Sequence, residues 1–256
     1  MFKDINDGIL FIAQDAEYYK ERFLRQKYPD KSWINNINDN LRFLFGHAAY
    51  QGRPDYLSKK VDNAAQEKFK TLIALHGADH VFHPDYESIV MDEMSTVIGK
   101  DKGKAGREND IDLVKGLLKF ISKYCDDNLI IPYTIEKINN NEIQGLYKEL
   151  IKLPRIADKI ATFYLRDVVS YFELEDCLKS DDDLKCIQPI DTWVRKIVWA
   201  AEISQEKKDP KIKRDIIDKC KDAGVRAHEF NMGAWLNGAK AFNMYLWKNF
   251  QKELDV

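Results

Sequence analysis

The chain has no pair of cysteines close enough to serve as a zinc or redox motif. Its four cysteines, Cys125, Cys177, Cys186 and Cys220, stand 52, 9 and 34 residues apart. No CxxC spacing occurs and no set fits a cluster-binding loop, so they read as scattered reduced thiols of a cytosolic protein. Long apolar runs are absent too, and no segment approaches the about 20 residues of a membrane span. Residues 8–13 are apolar but few, and Asp4 and Asp7 precede them, which is the wrong charge for a secretory leader. The expected location is the cytoplasm. Neither sign of charge is in excess: 40 Lys and Arg oppose 42 Asp and Glu, for a net charge of -2. A protein that merely coats nucleic acid is usually basic overall. Bulk charge therefore lends no weight to such a partner, although a local basic face is enough to engage phosphates. Period-2 alternation, internal repeats and low-complexity tracts are missing as well.

What is present is apolar mass and helical periodicity. Of 256 residues, 45% are hydrophobic, 32% charged and 12% aromatic, which is a globular composition able to bury a core. Val114, Leu117, Leu118 and Ile121 recur at the i, i+3, i+4, i+7 spacing of an amphipathic helix. Similar patterns run through 5–26, 36–50, 61–76, 86–98, 143–152, 159–172, 192–203, 211–222 and 229–252. The reading is an all-α fold of nine to eleven helices, arranged as one domain of two lobes over 1–256. Residues 99–107 (GKDKGKAGR) read as a basic, Gly-rich loop, either solvated or touching phosphate; they lack the GxxxxGK[ST] pattern of a P-loop. Residues 173–186 read as an acidic insertion between helices.

The chemistry-bearing stretch is 143–200. A helix over 143–152 ends near Leu153 because the residue before Pro154 avoids helical dihedrals. Asp158 reads as the N-cap of a second helix opening at Lys159. Together they predict a helix–turn–helix hairpin over about 143–172. In the first turn of a helix the backbone dipole, and any burial, favour the neutral lysine amine over its ammonium. A neutral amine can attack a sugar carbon and form a Schiff base. Downstream, Asp191 in Gln188-Pro189-Ile190-Asp191-Thr192-Trp193 reads as an N-cap held ionised by backbone N–H groups, able to stabilise positive charge or to take a proton. Taken alone, Lys159 also reads as an ordinary surface lysine and Asp191 as a structural cap.

The spacing of Leu153-Pro154-x-x-x-x-Lys159 and Pro189-Ile190-Asp191 resembles the helix-hairpin-helix (HhH-GPD) DNA glycosylase superfamily. The interval of 32 residues between Lys159 and Asp191 is similar to that of its archaeal 8-oxoguanine DNA glycosylase branch, which also lacks an iron–sulfur cluster. Residues 224–238 (GVRAHEFNMGAWLNG) resemble that branch's C-terminal segment. The resemblance covers about 140–240. It implies a two-lobed helical fold, a monomer, and double-stranded DNA with a damaged or modified base as partner, placing the protein on the nucleoid. The implied activity is that of a DNA glycosylase with β-eliminating AP lyase activity, most plainly on 8-oxoguanine, with no metal or other cofactor. Lys159 and Asp191 are then the catalytic pair. Phe163 and Trp235 sandwich the extruded base, and Asn231 stands where the branch has a base-bonding carboxylate. Lys152, Arg155 and Arg195, with Lys196 nearby, face DNA phosphates. Two positions depart from the pattern: the turn reads Pro154-Arg155-Ile156-Ala157 without the usual glycines, and an amide at Asn231 donates as well as accepts, whereas a carboxylate only accepts.

Three rivals stand beside this reading. His76, His80 and His83 fall at i, i+4, i+7 and suggest a metal-dependent hydrolase, or else capping and surface histidines. A non-catalytic DNA-binding protein would keep the hairpin without needing both Lys159 and Asp191. The same chemistry on another base, including a modified pyrimidine of foreign DNA, fits the change at Asn231.

Overall fold

The computed structural model describes residues 4–50, 55–98 and 104–241. Among them every regular element is helical and no strand occurs. The thirteen α-helices of the described residues are α1 (Ile5–Tyr19), α2 (Ile37–Ala48), α3 (Asp55–His76), α4 (Ala78–Val81), α5 (Glu87–Ser95), α6 (Lys104–Tyr124), α7 (Ile130–Asn139), α8 (Ile143–Leu150), α9 (Asp158–Phe172), α10 (Asp181–Lys185), α11 (Thr192–Ala200), α12 (Asp209–Asp222) and α13 (Ala227–Leu236). None is long and apolar enough to cross a membrane.

Several expectations shift. Residues 104–107 of the anticipated basic loop form the first turn of α6, while 99–103 lie outside the described residues, as does the predicted helix beyond 241. Helix α7 was not expected. Its N-cap residue Leu129 offers no side-chain acceptor; instead the Asn40 Oδ1 accepts the Ile131 N–H at 2.8 Å. The acidic insertion contains α10, opened by a capping box between Ser180 and Asp183. Asp158 is the first residue of α9 rather than its cap.

The described residues fall into two compact units: a middle unit within Asp30–Val168 and a terminal unit drawn from 4–29 and 169–241. In the middle unit α2 buries Leu41, Phe43, Leu44 and Phe45, and α6 buries Leu113, Val114, Leu117, Leu118 and Ile121. The last four of these α6 residues are the periodic positions read from the sequence. Asn40 is fully buried in this unit and satisfied, donating to Ile34 O at 2.7 Å and Asn36 O at 2.9 Å while capping α7.

The terminal unit has one apolar cluster built from Ile9 and Ile12 of α1, Val194 and Val198 of α11, Ile212 and Ile216 of α12, and Phe230 and Ala234 of α13, with Ile190 before α11. α1 and α13 meet backbone to backbone at Gly233, where a Cβ would overlap the Ile12 carbonyl oxygen. Lys20 Nζ donates to Glu229 at 2.8 Å and Asn237 Nδ2 to Asp15 at 2.7 Å. Each helix runs on into a π-helical turn, Lys20–Arg25 after α1 and Asn237–Ala241 after α13.

Candidate functional site

The stretch read as a hairpin runs as α8, a seven-residue connection and α9, the last continuing past Val168, where the middle unit ends. Ile143, Leu146 and Leu150 form the buried face of α8. In the connection, Ile156 N–H donates to Leu153 O at 3.1 Å and Arg155 has φ 66°. Proline holds φ negative at the second turn position, and a positive φ at the third is the signature of a type II turn. Arg155 thus adopts a conformation that usually calls for glycine. Pro154 packs on α6 at Gly116.

Lys159 is the second residue of α9 and is half-buried. Its Nζ has no hydrogen-bond or ion-pair partner among the described residues. The neighbouring carboxylate, Asp158, accepts a bond from the Tyr147 hydroxyl at 2.7 Å. One turn further along α9 lies Phe163, also half-buried. The Arg166 guanidinium carbon lies 4.4 Å from its ring centroid. Arg166 is fully buried and donates through Nε at 3.0 Å and Nη2 at 2.8 Å to Asp167. The other Asp167 oxygen meets His47 Nε2 at 2.9 Å, and His47 Nδ1 lies 2.7 Å from the Phe43 carbonyl oxygen. Burial pushes the Asp167 carboxyl up, but the Arg166 charge and the His47 bond outweigh it and hold it below its ordinary value. This buried network backs the hairpin's second helix. A small apolar recess beside it, lined by Leu44, His47, Leu150, Ile156, Ile160 and Tyr164 among others, is far smaller than a usual ligand pocket.

Asp191, Asn231 and Trp235 belong to the terminal unit. Asp191 is the N-cap of α11: one carboxylate oxygen accepts from Trp193 N at 2.9 Å and Val194 N at 2.8 Å. The residue remains half-buried, so the cap role predicted from sequence is met without sealing the carboxylate off. Asn231 is fully buried, and its Nδ2 donates to the Pro189 carbonyl at 3.0 Å. Its amide therefore ties α13 to the segment carrying Asp191. Gln188, one residue earlier, is fully buried with neither side-chain polar atom hydrogen-bonded among the described residues. Trp235 is half-buried and meets Tyr19 and Phe23 edge to face, with centroids 5.6 and 5.4 Å away.

The expected phosphate-facing cations differ in their engagement. Lys152 is exposed, with no partner for its ammonium among the described residues. Arg155 is exposed and 3.5 Å from Asp112. Arg195 is bound to Asp209 and to the Lys207 carbonyl, the latter at 2.9 Å. Lys196 Nζ sits 4.6 Å from the Trp193 ring centroid. The three histidines do not share one helix face. α3 ends at His76, Gly77 turns with φ 82°, His80 lies in α4 and His83 follows it. His80 stacks on Tyr86 at 3.5 Å, and His83 Nδ1 accepts the Asp85 N–H. Among the described residues no group of three His, Cys, Asp or Glu could hold a metal ion.

Sequence reasoning missed the His47–Asp167–Arg166 network, because 120 residues separate its first two members. It also missed Phe23, whose only local signal is an aromatic four residues after Tyr19. Compared with known proteins, the chain matches no protein-family model, no curated protein and no solved structure.

Proposed function

We propose that the protein is a bifunctional DNA glycosylase and AP lyase that removes a damaged or modified base, with 8-oxoguanine as the first candidate. The observation that carries this reading is Lys159: a half-buried lysine in the opening turn of the hairpin's second helix, with no carboxylate on its amine among the described residues. A lysine amine that no carboxylate holds is open to act as a nucleophile. In the reaction, the base is first extruded from the duplex. The Lys159 nitrogen then bonds C1′ while the N-glycosidic bond breaks and the base leaves, taking up a proton. Loss of the amine proton and opening of the sugar ring give the Schiff base, and β-elimination expels the 3′ phosphate. Asp191, capped yet half-buried, is suited to stabilise positive charge developing on the sugar. Phe163 and Trp235 offer aromatic surface to the extruded base, and Lys152 and Arg155 offer exposed cations to phosphate.

The test is borohydride trapping on a labelled duplex carrying 8-oxoguanine opposite cytosine, with Lys159→Gln alongside. A covalent adduct with the wild type alone establishes the lysine and the base together. Adduct formation only on an abasic duplex keeps the lyase and rejects 8-oxoguanine, which favours another modified base. Absence of adduct on both overturns the reading.

A further inference from the structure

We propose that Phe23, in the terminal unit, is a second wall of the base site; this rests on the reading of Trp235 as the residue that stacks on the extruded base. Among the described residues three rings gather there: Tyr19 at the end of α1, Phe23 in the following π-helical turn, and Trp235 near the end of α13. Tyr19 is 2% exposed and fills the core. Phe23 and Trp235 each keep part of their surface in solvent. Their centroids are 5.4 Å apart and their planes cross at 88°. Behind them, Tyr19 meets Phe23 at 5.0 Å and Trp235 at 5.6 Å, which fixes the corner.

The backbone marks the same place. Both α1 and α13 leave regular winding here, for the turns Lys20–Arg25 and Asn237–Ala241. π-helical turns are rare and recur at functional sites. The two helices are held in register by Gly233 against Ile12, by Lys20 on Glu229 and by Asn237 on Asp15, so the corner is built on a rigid pair.

Its geometry suits one class of ligand edge. A planar base stacked on Trp235 lies perpendicular to the plane of Phe23. An aromatic face is electron-rich and attracts N–H and C–H rims while disfavouring lone pairs. 8-Oxoguanine carries a hydrogen on N7, where guanine has a lone pair. In this proposal Phe23 meets that N7–H edge, beside an Asn231 whose Nδ2 donates to the Pro189 carbonyl.

The experiment compares the full chain with Phe23→Leu and Phe23→Tyr. Single-turnover release of 8-oxoguanine is measured together with borohydride trapping on an abasic duplex, which has no base to stack. The expected result is an about tenfold loss of excision for Phe23→Leu, retention for Phe23→Tyr, and wild-type abasic trapping for both. Undiminished excision by Phe23→Leu overturns the assignment and leaves the glycosylase reading standing. Equal loss of excision and abasic trapping, with a lowered melting temperature, also overturns it by making Phe23 a packing residue. A wild type that traps abasic DNA but leaves 8-oxoguanine in place overturns the assignment of Phe23 to that base and keeps the lyase. Failure of the wild type to trap abasic DNA takes down the glycosylase reading and this assignment with it.

Discussion

The Pro154 ring occupies the space that a side chain at Gly116 would need: a Cβ there would stand 2.5 Å from Pro154 Cδ and 3.1 Å from Cγ. A proline ring cannot swing aside, so α6 and the hairpin turn are seated on one another through a missing methyl. Gly116→Ala gains about 1 kcal/mol in helix propensity but meets an overpacking cost of about 1–3 kcal/mol. Net destabilisation in a urea titration is expected. A more stable variant would mean that the turn shifts freely on α6.

Arg155 holds φ 66° at a turn position that favours glycine. A non-glycine residue there costs about 1–2 kcal/mol, and glycine returns part of that as unfolded-state entropy, about 0.4–1 kcal/mol. The contact with Asp112 is exposed and adds little. Arg155→Gly is therefore expected to raise stability by up to about 1 kcal/mol. It also removes a cation from the hairpin, so DNA binding should weaken and the salt dependence of the affinity should flatten by about one counterion. Unchanged salt dependence would exclude Arg155 from phosphate contact.

Gln188 carries a buried donor and acceptor with no partner among the described residues. Each such group costs about 1–3 kcal/mol. Gln188→Met keeps the shape and removes both. Its urea midpoint should rise; a fall would reveal that the amide has bonding partners in solution.

Glu175 is part-buried, with His228 Nε2 at 3.3 Å and Arg226 at 3.8 Å. Burial pushes its carboxyl up, but the His228 ring beside it, its own backbone N–H and the Arg226 charge together hold it below the ordinary 4.5. A carboxylate lowered in the folded state stabilises the fold above its unfolded value, and that stability is lost as pH falls through the folded value. The advantage of wild type over Glu175→Gln should be full at pH 6 and fade as the pH falls below about 4.5. An advantage that persists undiminished to lower pH would show that the pair is not ionic.

Where the physics is local, the sequence was readable. The α6 stripe and the Asp191 cap follow from residues within a few positions of each other. The α10 capping box was equally local, but the run of aspartates around it obscured Ser180 and Asp183. α7 was hidden because its capping acceptor, Asn40, lies 91 residues before Ile131. The break between α8 and α9 was legible from Pro154, while the left-handed backbone at Arg155 was not, since nothing in its side chain asks for it. Asn231 stood out as a site position, yet its bond to Pro189 spans 42 residues and belongs to tertiary structure. Nothing local in the sequence marks Arg166; the fold shows it fully buried, its guanidinium against the Phe163 ring.

The meeting of α1 and α13 also fixes an order of events during synthesis. Asp15 and Asn237 are 222 residues apart, and the Gly233 contact with Ile12 closes a comparable span. As the chain is made, the whole of Asp30–Val168 emerges before α13 exists. The middle unit can therefore collect its own contacts while α1 still shows water the apolar face that Ile9 and Ile12 will bury. Such long-range closure is slow and leaves aggregation-prone surface exposed meanwhile. Weakening the α1–α13 seam should accordingly lower the yield of folded protein in cells more than it lowers the equilibrium stability of molecules that have already folded.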